Sequence, residues 1–162
     1  MANFPAINTS PLIFFSKTDL LELLHETVNS DIIVPEAVAI EIQSYGEEDI
    51  TLKALSSKNW LLIRETIPIP SIIENWDLGA GESSVLGWGY TNPGTEVILD
   101  DLAARRCATT LKIPVRGTLG LVLIAKQRGL IPSARPIIDR LRQSGMYLSD
   151  RIVNQSLKSV GE

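Results

Sequence analysis

The sequence predicts an α/β fold built on a parallel sheet in one layered domain. Short apolar runs such as Ile32-Ile33-Val34 and Val97-Ile98-Leu99 alternate with longer amphipathic stretches, the pattern of strands joined by helical crossovers. The 162 residues are 44% hydrophobic and 21% charged, ordinary globular usage at a length that suits one domain. A single domain over residues 1–162 is therefore expected, with no internal repeat and no low-complexity segment.

A first strand is expected over Phe4 to Ile7, ending at the polar triplet Asn8-Thr9-Ser10. Ser10-Pro11 reads as a helix cap followed by proline in the first turn. Asp19 is expected to cap a second helix whose apolar stripe is Leu20, Leu23, Leu24 and Val28. Asp31 to Val34 is a buried-type strand, and Pro35 opens a helix that runs to about Gln43. Ser44 to Asp49 reads as a solvated turn, 51–59 as a short helix and Trp60 to Ile63 as a strand. Ile67-Pro68-Ile69-Pro70 is a rigid connector, and Ser71 to Trp76 a helical turn. Helices follow over Gly81 to Tyr90 and Leu102 to Leu111, with the strand Val97 to Leu99 between them. Ile113 to Val115 is the last strand expected. Helices over Thr118 to Arg128, Ala134 to Ser144 and Asp150 to Lys158 close the chain, two of them ended by Gly129 and Gly145.

Composition removes several kinds of chemistry. One cysteine, Cys107, excludes an internal disulfide, and with one histidine, His25, it leaves too few soft ligands for a structural zinc site. No nucleophile elbow of the G-x-S-x-G type is present, and His25 would have to serve any hydrolytic triad. No apolar run reaches the roughly 18 residues that span a bilayer. The start, Met1-Ala2-Asn3-Phe4-Pro5, lacks a basic leader, so a cytoplasmic protein is expected. What remains for chemistry is mainly carboxylate. Net charge is −4, but residues 1–99 carry −10 and residues 100–162 carry +6. Such asymmetry points to a basic binding surface, or simply to a solvated basic helix face.

The informative acids stand where an acid is costly. Glu41 follows Val38 by three residues, beside the stripe Val34, Val38, Ile42, whereas Glu36 in the first turn merely suits the helix dipole. Glu82 lies between Leu78 and the pair Val85, Leu86 on one helical face. Burying either unpaired costs several kcal/mol (roughly) or shifts its pKa, so a cation or metal partner is the economical explanation. Asp100 and Asp101 end a strand, where α/β sheets bind ligands, although Asp101 alone could be a helix cap. Asn8 ends the first strand at the comparable edge. Were these to converge, their hard oxygens would select Mg²⁺ or Mn²⁺ and suit phosphate chemistry. Arg105, Arg106 and Arg116 follow in sequence, as phosphate contacts or as structural ion pairs. Trp60, Trp76, Trp88 and Tyr90 could stack on bases or sit in the core, and Gly79-Ala80-Gly81 lacks the strand and lysine of a nucleotide loop.

Five stretches in register resemble the PIN-domain family: Ile7 to Ile13, Ile33 to Glu41, Leu78 to Glu82, Leu99 to Arg106 and Arg116 to Gly120. Within it the sequence resembles in particular a bacterial and archaeal branch described only as predicted nucleic-acid-binding proteins. The resemblance implies a three-layer α/β/α fold with a mainly parallel central sheet, and a Mg²⁺- or Mn²⁺-dependent ribonuclease. Many such proteins are the toxin half of a toxin–antitoxin pair and self-associate, so RNA, an antitoxin protein and a second copy of the chain are the implied partners. Carried over by position, Glu41, Glu82 and Asp100 or Asp101 are the metal-holding acids, Asp101 being favoured because it directly precedes the helix. The family's first acid is an aspartate, and Asn8 stands there instead. An amide can offer its carbonyl oxygen but adds no charge and cannot act as a base, so a weakened, RNA-binding or regulatory protein is the alternative. A small-molecule phosphohydrolase using the same acids is a third reading.

Overall fold

A computed structural model describes residues 3–162; Met1 and Ala2, on which the leader expectation partly rests, lie outside them. Five short strands form one sheet: β1 (Ala6–Ile7), β2 (Ile32–Pro35), β3 (Leu61–Arg64), β4 (Val97–Ile98) and β5 (Val115–Arg116). Their order is β3-β2-β1-β4-β5 and every pairing is parallel, with Ala6 opposite Ile33 on one side and Val97 on the other. The central strands β1, β2 and β4 are fully buried, which is why they read as continuous apolar runs rather than alternating ones.

Helices α1 (Thr9–Lys17), α2 (Leu21–Val28), α3 (Glu36–Gln43) and α4 (Ile50–Ser57) fill the crossovers on the β1-β2-β3 side and pack on one another. The chain then reverses direction across the sheet through α5 (Ser71–Glu74) and α6 (Ala80–Thr91), with α6 lying against β2, β1 and β4. Helix α7 (Leu102–Thr110) joins this second layer, and α8 (Thr118–Gln127) returns to α1 and α2. Right-handed crossovers in both directions put helices on both faces, which gives the three-layer α/β/α architecture. Finally α9 (Arg135–Gln143) and α10 (Asp150–Ser159) rest on α8 through a second apolar cluster that includes Val122, Ile138, Leu141, Val153 and Leu157. The Glu162 carboxylate accepts from Ser133 Oγ and from the amides of Ala134 and Arg135, fastening the last residue to the start of α9. Among the described residues no helix is long and apolar enough to cross a membrane.

Several boundaries differ from expectation for identifiable reasons. Helix α1 is capped at Asn8, not Ser10, because β1 passes directly into it: Asn8 N–H still bonds Ile98 O in the sheet. Pro11 therefore occupies the third helical position, where its missing N–H still leaves no bond broken. Asp19 caps nothing; it takes a left-handed conformation (φ 58°) between α1 and α2, a conformation short polar residues tolerate. Asp49, expected in a solvated turn, caps α4 by accepting from Thr51 and Leu52 N–H. The last strand is shifted to Val115–Arg116, because Pro114 can offer only its carbonyl, which accepts from Val97 N–H. Trp60 is buried and stacks on His25 with ring centroids 4.3 Å apart, Trp88 Nε1 donates to Phe4 O, and Cys107 is buried, so these are structural.

Glycine also sets how closely α6 approaches the sheet. A Cβ on Gly89 would stand 2.8 Å from both Ile113 Cγ2 and Val97 Cγ1. Gly89→Ala should therefore destabilise the protein by about 1–3 kcal/mol through overpacking, despite alanine's better helix propensity. Urea denaturation measures this; a gain in stability would show that the close approach is dispensable.

Candidate active site

The strand order reverses between β1 and β4, the point where connections diverge and a crevice opens beyond the carboxyl ends of the strands. Asn8 ends β1 there and Leu99-Asp100 end β4. Asn8 is 4% exposed, and its Oδ1 has no hydrogen-bond partner among the described residues. A buried carbonyl oxygen left unmatched costs about 1–3 kcal/mol, so this atom stands in need of a ligand. Its surroundings narrow the choice of ligand.

A cleft of about 390 Å³ opens at this edge, lined by Asn8, Thr9, Glu41, Tyr45, Glu82 and Lys17, among others. Its floor is one face of α1: Ser10, Ile13, Phe14 and Lys17 recur at helical spacing, while Leu12, Phe15 and Ser16 face the core. Glu41 comes from α3 and Glu82 from the first turn of α6, two helices that touch one another. Thr9 Oγ donates to Glu41 Oε2 at 2.7 Å, and the Tyr45 hydroxyl lies 3.5 Å from Glu41 Oε1. Burial of the phenol, and then the charge of Glu41, raise the Tyr45 pKa above its ordinary value.

Two glycines make this convergence of oxygens sterically feasible. A Cβ on Gly81 would lie 2.8 Å from Asn8 Oδ1 and 3.4 Å from Glu41 Oε2. One on Gly79 would lie 2.5 Å from Glu82 Oε2. Gly79-Ala80-Gly81 is thus no nucleotide loop; its two glycines leave room for the Glu82 carboxylate at one and for Asn8 Oδ1 and Glu41 Oε2 at the other. The Glu82 carboxylate also sits at the helix N-terminus, where the macrodipole favours an anion.

The other expected residues are placed differently. Asp101 caps α7, its Oδ2 accepting from Ala104 N–H at 2.9 Å. Asp100 accepts from Thr118 N–H and Thr118 Oγ, both at 2.7 Å, which ties β4 to the start of α8. It stands at the neighbouring strand end but does not line the cleft. Among the described residues no group of three or more acids, histidines or cysteines is arranged to hold a metal ion. The convergent set is instead two carboxylates and an amide oxygen. Glu41 is also exposed rather than buried, since the buried stripe of α3 is Val38, Ala39 and Ile42 and Glu41 stands at its border. Its position at the cleft, not a desolvation cost, is what marks it.

Arg116 pairs with Glu96 at 2.5 Å and lines a separate cleft with Asn3, Pro5 and Ser30, at the edge where the strands begin. Arg105 and Arg106 are exposed on α7 and line neither cleft; Arg105 Nη1 lies near Asp100 and Gly117 without an ion pair. Among the described residues the one cation lining the acid cleft is Lys17. The sequence singles out neither Lys17 nor Tyr45, and offers Thr9 only as the neighbour of Asn8 and Thr118 only as a helix start. A signal existed for the first: Lys17 follows Ser10 by seven residues on the face that carries the cleft floor.

Gly81→Ala tests the crowding directly. The substitution should change stability by no more than about 1 kcal/mol, since alanine suits a helix and the Asn8 and Glu41 side chains can yield. It should nonetheless shift the Asn8 side-chain amide resonance in a heteronuclear NMR spectrum. An unmoved Asn8 signal would show that the oxygens do not meet at Gly81.

A family model described as a PIN domain matches residues 5–162, nearly the whole chain. No curated protein and no solved structure matches the chain with significance. The match spans β1 to α10 and all the residues of the acid cleft. The chain belongs to the PIN-domain family, whose fold is of the nuclease type.

Proposed function

We propose that this protein is a Mg²⁺- or Mn²⁺-dependent endoribonuclease, the toxin member of a toxin–antitoxin pair. The observation that carries the reading is the buried, unpartnered Asn8 Oδ1 meeting the Glu41 carboxylate at Gly81, beside Glu82. The donor set fits the metal: an amide oxygen and two carboxylates are hard ligands, and Mg²⁺ commonly takes one or two carboxylates and completes its shell with water and phosphate. Asn8, Glu41 and Glu82 would hold the ion, and Asp100, on the adjoining strand end, adds negative charge to the same edge. When bound, such an ion offsets charge on a phosphodiester and lowers the pKa of water. The toxin role, the antitoxin and self-association rest on the family resemblance alone.

The chain's own residues organise the site. Thr9 Oγ–H, donating to Glu41 Oε2, fixes that carboxylate and leaves Oε1 toward Tyr45. Glu82 is presented to the cleft from the first turn of α6. Lys17 brings the positive charge without which the acids would repel an RNA backbone.

Asn8 supports a second reading, an RNA-binding protein with weakened catalysis. It supplies a ligand atom but neither the charge nor the basicity of an aspartate.

Purified protein should cleave single-stranded RNA in Mn²⁺, EDTA should abolish cleavage, and Glu82→Gln should lower the rate about 100-fold or more. Full cleavage by the Gln variant would remove Glu82 from the site. Asn8→Asp should tighten Mn²⁺ binding in calorimetric titration and raise the cleavage rate. If binding and rate are both unmoved, Asn8 is no ligand. A parent chain that binds RNA and is silent until Asn8→Asp restores turnover would favour the second reading.

A further inference from the structure

We propose that single-stranded RNA leaves the acid cleft over Lys17, with Lys17 and Arg140 holding backbone phosphates and Tyr45 offering the face on which a base stacks. This rests on the ribonuclease reading of the cleft and adds the path of the substrate.

Lys17 lines three adjoining concavities at once; the first two also share Ile13 and Tyr45, and the first and third share Ser144. The first is the acid cleft itself. The second, of about 270 Å³, is lined by Ile13, Lys17, Tyr45 and Asp49. The third, of about 380 Å³, runs between the end of α1 and the end of α9 and includes Asp19 and Arg140. Their chemistries differ in a way that matches a nucleotide. Ile13 and Tyr45, the latter 45% exposed, form an apolar and aromatic surface suited to a base. Lys17 and Arg140 outnumber the single acid Asp19 in the third hollow, which suits a backbone anion.

Both cations are available. Neither takes part in an ion pair among the described residues. Arg140 is nonetheless held in place, because its Nη2 donates to the carbonyl of Thr18 at the end of α1. That bond leaves the remaining guanidinium donors free on a side chain whose position is already set, the arrangement that favours phosphate recognition. A duplex would hide its bases from Tyr45, so the groove selects a single strand.

Equilibrium binding of a fluorescent single-stranded RNA in EDTA separates this from turnover. Lys17→Ala and Arg140→Ala should each weaken binding about tenfold and reduce the slope of log K against log salt by about 0.7. Tyr45→Ala should also weaken binding about tenfold while leaving the salt slope unchanged, and Tyr45→Phe should bind like the parent. Lys158→Ala, an exposed lysine on α10, is the control and should change neither quantity. Parental affinity and slope in the Lys17 and Arg140 variants would overturn the path, and cleavage of RNA by that same parent chain would leave the ribonuclease reading standing. A parent chain that neither binds nor cleaves RNA would overturn both.

Discussion

The site depends on one steric constraint: the start of α6 comes so close to the end of β1 that a side chain there would crowd the oxygens between them. Gly81 meets that requirement, and the space it leaves is taken up by Asn8 Oδ1 and Glu41 Oε2. Gly81 and Glu82 both lie in the first turn of α6, so the packing of that helix sets where both stand. The packing of α6 over β1, β2 and β4 therefore serves chemistry as well as stability. Gly89 performs the same service further along the helix, against Val97 and Ile113. The sheet reversal makes the position useful, because strands diverging from β1 and β4 leave an open edge there.

Much of this was legible in the residues. Buried parallel strands announce themselves as short apolar runs, and the three central ones appear where such runs stand. Glu41, Glu82 and Asn8 could be picked out because each interrupts a local pattern at a strand end or on an apolar helix face. Asp100 and Asp101 could not be told apart, because a cap, a tie to Thr118 and a metal ligand all ask for the same residue at the same place. The arginines show the limit of sequence neighbourhood. Arg116 follows the acids closely along the chain yet reaches back to Glu96 at the other edge of the sheet. The helical spacing of Lys17 from Ser10 is only a faint sign, because a basic residue in the last turn of a helix is ordinary. Only the packing of α1 against α3, and the hydrogen bond from Arg140 of α9 to the carbonyl of Thr18, reveal which hollows the Lys17 ammonium faces.

The basic C-terminal half acts through the layer it adds. Helices α9 and α10 stand on α8 by their own apolar cluster, and Glu162 ties the last residue to the first turn of α9. Hydrogen bonds from Ser133 and the helix amides hold the Glu162 pKa below the ordinary carboxylate value, so this fastening strengthens as pH rises through the acid range. The same layer brings Ser144 and Gly145 to the rim of the acid cleft. From the same layer Arg140 lines the hollow next to that cleft.

Helix α1 joins the two functions in a single rigid piece. Its N-terminal flank carries Asn8 and Thr9, its last turn carries Lys17, and its terminal carbonyl holds Arg140. Nine helical residues separate these ends by about 13 Å. The helix is thus a measuring rod, fixing the offset between the oxygen cluster and the cationic end of the groove. A one-residue insertion in it would turn Lys17 by about 100° around the axis and aim it away from the groove, leaving the oxygen cluster itself intact.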